Sequence, residues 1–288
     1  MKKIFVIIIA VFFIGEMTFA GGPWPQPKGK GYFKLTQWWT VFDEHYTDLG
    51  LIDPNVTSGI FNTSIYAEYG FTKNITGIAY VPFLSRNYVN NLVSGTTGET
   101  LIAGDAVNSL GDADIGIKYG FPTKLPLAAT LTFGLPLGQS VAGEQNNLQT
   151  GDGEFNQMLQ LDAGAGFNIV ENVSFYMSAM VGFNNRTNGF SDEFRYSVEG
   201  GFGLFDKKVW LIGRLIGVES FKNGDAAGTS TSTSIFANNS EHTSFSVEAA
   251  VYVSKKIGIS ANYTAPIRGE IIAADPAYSV GVFYDMNQ

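Results

Sequence analysis

Twelve short segments in which apolar and polar residues alternate are joined by connections that switch strictly between very short and long. Few folds tolerate that rhythm. An up-and-down antiparallel barrel produces it when tight turns close one end and long loops the other, as in barrels of the bacterial outer membrane. The segments fall at 32–41, 59–69, 73–84, 112–121, 126–136, 156–168, 172–184, 193–205, 208–219, 243–254, 257–266 and 277–286. Most approach the roughly ten residues that a tilted strand needs to cross the hydrocarbon layer.

The alternation is clearest from Asn172 to Phe183. Val173, Phe175, Met177, Ala179, Val181 and Phe183 share one face; Ser174, Tyr176, Ser178 and Gly182 share the other. Phe194, Tyr196, Val198, Phe202 and Leu204 repeat it, with a change of register expected near Gly200, as do Phe245, Val247, Ala249, Val251 and Val253. Period two with one apolar face marks a half-buried strand. The second face is mostly Gly, Ser, Thr and Tyr with sparse charge, which suits a narrow interior better than a water-exposed surface. The expected fold is all-β, a transmembrane barrel of about twelve strands.

Short connections run Gly70–Thr72, Pro122–Leu125, Ile169–Glu171, Asp206–Lys207 and Lys255–Lys256; long ones run 42–58, 85–111, 137–155, 185–192, 220–242 and 267–276. Lys73, Lys124, Lys207, Lys208, Lys255 and Lys256 sit at or beside the short turns. Phe71, Phe121, Phe167, Phe205, Trp210 and Tyr284, near strand ends, are candidates for an interfacial aromatic girdle. Trp38 and Trp39 are adjacent, so one of them should face the interior.

Residues 1–20 read as an export signal, with Lys2 and Lys3 ahead of an apolar run and Ala20 before the expected cleavage. The run is too short for a spanning helix. The mature chain then comprises a short N-terminal periplasmic or lumenal segment, 21–31, and the barrel, 32–288. The chain has no cysteine, which excludes a lipid-anchored lipoprotein and a disulfide framework. Its net charge of −8, which becomes more negative once the leader's lysines are lost, disfavours nucleic acid as a partner. No plug-sized domain precedes the first strand, so an energised receptor is not expected.

Parity with the apolar faces places Glu68, Asp114, Lys118, Asp162, Arg195, Glu199, Arg214 and Glu248 on the lumenal side. Arg214 is assigned by its charge, because its strand is apolar on both parities. Arg or Lys facing lipid near the midplane would cost roughly 2–4 kcal/mol. Such residues either line a selective passage or brace a narrow barrel through ion pairs. Five acids against three bases would favour cations slightly.

Catalysis is not expected. The two histidines, His45 and His242, lie in polar, loop-like sequence, and Ser244 near His242 lacks the third, orienting group that a Ser/His arrangement needs. Asp112, Asp114, Asp152 and Glu154 offer oxygen ligands of the type calcium takes, but Gly-Asp-Gly and Gly-Asp-Ala-Asp read more simply as turns and strand starts. No cofactor is expected, and a monomer in outer-membrane lipid is favoured.

The stretch Ser109-Leu-Gly-Asp-Ala-Asp-Ile-Gly-Ile-Lys-Tyr119 is followed by Thr132-Phe-Gly-Leu-Pro-Leu-Gly138 and then Thr150-Gly-Asp-Gly-Glu-Phe-Asn-Gln157. This order resembles the "MetA-pathway of phenol degradation" family of outer-membrane proteins, distant relatives of the FadL/TodX transporters. The opening Trp24-Pro-Gln-Pro-Lys-Gly-Lys-Gly-Tyr-Phe-Lys-Leu35 is similar to a Bacteroidetes-type variant. The resemblance implies passive uptake of small, hydrophobic or aromatic molecules. The alternative is a non-transporting barrel that serves as a structural or partner-binding scaffold.

Overall fold

The computed structural model describes residues 21–225 and 235–288; the expected export signal, 1–20, and the centre of the segment expected as loop 220–242 lie outside them. Twelve long strands form the barrel: β1 Gly31–Tyr46, β2 Ile52–Gly70, β3 Ile75–Val89, β4 Ala113–Gly120, β5 Leu127–Leu135 and β6 Asn156–Val170. The second half comprises β7 Val173–Arg186, β8 Glu193–Leu204, β9 Val209–Ser220, β10 Glu241–Tyr252, β11 Ile257–Glu270 and β12 Ala277–Asp285. Each pairs antiparallel with its neighbour in sequence, and β1 pairs with both β2 and β12. The sheet therefore closes and has no open edge, which is what lipid demands of a β structure.

The polarity of a soluble protein is inverted. Leu35, Ile65, Ile117, Leu161, Val198, Leu215, Val247 and Val280 are all exposed, while Ser64, Thr76, Thr130, Ser174 and Ser246 are buried. Left in water, each such Leu, Ile or Val would forgo roughly 1.5–3 kcal/mol of burial; against lipid that loss disappears. Aromatic pairs band the short-turn end, with Tyr69 on Phe71 at 5.6 Å and Tyr119 on Phe121 at 5.3 Å. Toward the other end Trp39 stacks on Tyr278 at 5.9 Å, and Trp38 turns inward onto Phe42 and Ile60.

Three expectations change. No register shift occurs near Gly200, since β8 runs unbroken against β7 and β9. Trp210 is no girdle residue: it is buried inside with Tyr176, Ala250 and Phe283. Its strand is apolar on both parities, so alternation could not orient it. Segment 42–58 is mostly strand, because β1 and β2 continue outward to a turn in which the Thr47 amide donates to the Leu51 carbonyl at 2.8 Å. Beyond the membrane a ladder needs no apolar face, so its polar residues looked like loop.

The N-terminal segment turns back into the barrel from the short-turn end. The Gly29 amide donates to the Gly70 carbonyl and the Gly70 amide to that of Lys30. Gln26 is buried, its backbone amide donating to Thr76 Oγ1 at 2.7 Å. Inward glycines make the room. A Cβ on Gly70 would meet the carbonyl oxygens of Pro27 and Gln26 at 2.2 and 2.3 Å, and one on Gly164 would lie 2.8 Å from Pro23. The small-residue interior read from the sequence is in part the bed of this segment. The C-terminal residues close over it, with Asn287 Nδ2 donating to Gln26 Oε1 at 2.8 Å.

Candidate functional site in the barrel interior

The eight sequence-selected charges fall into three groups. In the first, Lys118 Nζ lies 3.2 Å from Glu68 Oε1, both side chains being buried. Glu68 also accepts from Tyr66 Oη at 2.5 Å and from Gln26 Nε2 at 2.7 Å. Asp162, held by Gln160 Nε2, stands within electrostatic reach of Lys118 and Glu68.

The second group is a chain of charge across β8, β9, β10 and β1. Arg214 Nε donates to Glu199, and its Nη1 donates to Glu248 Oε2 at 2.7 Å. Lys34 Nζ donates to Glu248 Oε1 at 2.7 Å, and Tyr176 Oη donates to Glu199 Oε1 at 2.6 Å. Lys34 was missed, although it stands between the outward Phe33 and Leu35 and the same parity rule would have found it.

The third group lies toward the long loops. Arg195 Nη2 sits 2.6 Å from Glu193 Oε2, and Asp114 is within electrostatic reach of Arg195. Glu193 in turn meets Arg186 Nη1 at 2.7 Å; Arg186 Nε reaches Glu154 at 2.6 Å and its Nη2 reaches Asp152 at 3.0 Å. Arg186 sits where a strand passes into a loop predicted at 185–192, so parity gave it no side to face.

A cavity of about 530 Å³ adjoins the second group. Lys34, Glu199, Arg214 and Glu248 line it at one level, and Tyr32, Tyr176, Trp210, Tyr252 and Phe283 line it on the same or adjacent strands, nearer the short turns. The rings interlock, Tyr32 stacking on Phe283 at 5.6 Å and Tyr176 meeting Trp210 at 5.7 Å. Trp24 of the N-terminal segment packs edge-on against Tyr176 at 5.8 Å. An aromatic layer beside a paired-charge layer suits a flat apolar solute with one polar group.

The remaining candidates sit elsewhere. Asp112 accepts from the amides of Gly138 and Asp152, each at 2.8 Å, and so pins loop 137–155 to the start of β4. Among the described residues no group of three or more His, Asp or Glu is placed to hold a metal ion. His242 and His45 each have a buried Nδ1 without a hydrogen-bond partner among the described residues, so no orienting group acts on either ring there.

Burial lifts the Asp112 carboxyl to about 6, the Asp152 charge adding to the rise and the Gly138 amide opposing it. Its unfolded value is near 3.8, so the native state keeps this proton to higher pH. Stability from this group is full below the unfolded value and is lost as pH climbs through about 6. Asp112→Asn, which cannot ionise, is expected to flatten that part of the pH dependence. Urea unfolding of both proteins across this range, with exchange of the Gly138 and Asp152 amides, checks it.

Closed strands, an apolar exterior and a polar, charge-paired interior define a transmembrane barrel of the kind found in the outer membrane of Gram-negative bacteria. Its fold is similar to that of an outer membrane channel from Pseudomonas putida F1, at 14% identity over 93% of this chain and 100% of that one, with a TM-score of 0.64. It is also similar to the β-domain of the Bordetella autotransporter Brka, at 15% identity over 90% of this chain and 100% of that one, with a TM-score of 0.50. At such identities the fold is what is shared. No family model matches the sequence, and no curated protein does either.

Proposed function

We propose that this barrel is a passive channel for small, hydrophobic or aromatic molecules, monomeric and without a cofactor, as the resemblance to the phenol-degradation family implies. The observation that carries the reading is the cavity lined by Trp210, Tyr176 and Phe283 at the level nearer the short turns and by the Lys34–Glu248–Arg214–Glu199 chain at the next. Ion pairs of this kind cancel most of the net charge along the wall, so they select for dipoles and hydroxyls more than for ions. Glu68, Asp114, Lys118, Asp162 and Arg195 then brace the passage and tune its field.

Swelling of proteoliposomes with phenols, fatty acids and sugars tests it. Phenols are expected to enter several-fold faster than sugars of similar mass, and Trp210→Ala with Tyr176→Ala to erase that preference. Equal rates for all solutes would sink the aromatic reading. A second reading, a non-transporting scaffold, is favoured by the buried Gln26 and the segment around it, which fill part of the interior. That reading predicts no swelling with any solute.

A further inference from the structure

We infer that Glu68 is the receptor for the chain's own α-ammonium group, created when residues 1–20 are removed, and that this ion pair latches the N-terminal segment inside the barrel. The Gly21 nitrogen lies 3.0 Å from Glu68 Oε1, on the same carboxylate that takes Lys118 and Gln26. Glu68 is buried, with 0% exposure. In the unprocessed chain that nitrogen is a neutral amide. Hydrolysis adds water across the Ala20–Gly21 bond: Ala20 departs with the new carboxylate, and Gly21 keeps the nitrogen and takes up a proton as an ammonium. A signal peptidase of the envelope supplies that step.

Charge balance argues for the ammonium. Glu68 and Asp162 bring two negative charges to this place, and Lys118 brings one positive charge. Tyr66 and Gln26 add only neutral donors. The processed terminus supplies the missing cation, and a buried carboxylate is tolerated when it is paired and hydrogen-bonded. Backbone geometry agrees. Gly22 has a φ of +62°, a left-handed value that lets the chain curl back toward Glu68 and that other residues adopt only with strain. This inference does not depend on transport, and its readout is chemical.

The test uses the full chain with its own leader, purified from the outer membrane of a producing host. N-terminal sequencing is expected to begin at Gly21. Acylation of the α-amine near neutral pH, followed by mass spectrometry of the N-terminal peptide, is expected to run at least about tenfold slower in the folded barrel than in urea. That slowing corresponds to one unit of ammonium stabilisation. Exposed Lys124, labelled in the same sample, serves as the control. Glu68→Gln is expected to restore fast labelling. Should E68Q not assemble, a Ser-Gly insertion between Gly21 and Gly22 leaves the cleavage site intact and moves the amine up to about 7 Å along the chain; it too should label fast. A mature chain starting elsewhere, a native amine labelled at the urea rate, or an insertion variant still protected would each overturn the latch. Loss of the swelling preference alone would overturn only the transport reading.

Discussion

Arg186→Met is expected to destabilise the folded barrel by about 3–5 kcal/mol, the cost of removing one partner from a buried ion pair. The guanidinium, 5% exposed, holds Asp152, Glu154 and Glu193 at 3.0, 2.6 and 2.7 Å and lies over the Phe190 ring at 4.4 Å. Glu193 keeps Arg195 when Arg186 goes, but Glu154 retains only the Thr187 amide at 2.9 Å. Burial already pushes the Glu154 carboxyl up, against the pull of Arg186; without that pull it should take up a proton more readily. Arg186→Lys keeps the charge and loses the three-way fork, so an intermediate loss is expected. Urea unfolding in vesicles reads all of this, and Glu154→Gln in the Met background should recover part of the deficit. A loss below about 1 kcal/mol, the level of a surface pair, would show that the network is hydrated and contributes little.

Deleting Gly22–Pro27 is expected to raise single-channel conductance several-fold while leaving the barrel folded. The segment fills inward space bounded by Gly70, Gly120 and Gly164, and its contacts are made to the wall rather than to the strand ladder. The ladder hydrogen bonds of β1 with β2 and β12 do not involve it, so closure should survive. What the deletion exposes is the Glu68–Lys118 pair, which water can then solvate. Unchanged conductance would mean that the narrowest point lies toward the long loops, where Asp112 and Arg186 hold loop 137–155 inward.

Much of the barrel was legible because period two, strand length and turn length are local properties. Leu161, Val198 and Val247 announce the lipid face without reference to any partner, and the observed strands overlap all twelve expected segments. The interior was legible only as a side. Asp162 and Arg214 could be called inward, but their partners depend on which strand brings which residue level. That is register, and closure between β1 and β12 sets it. Lys34 illustrates the point: its carboxylate partner, Glu248, is 214 positions away in sequence.

By itself, then, the sequence determined the export signal as an expectation, the strand count, the lipid face and the end at which the lysine turns lie. These follow from steric alternation and from the thickness of the hydrocarbon layer. Only the tertiary structure decided that Trp210 faces a cavity, that the charges divide into three groups, and that Gly21 comes to rest on Glu68. Those outcomes depend on distances across a closed sheet, where a buried charge must find a partner and the nearest one is set by register rather than by position along the chain.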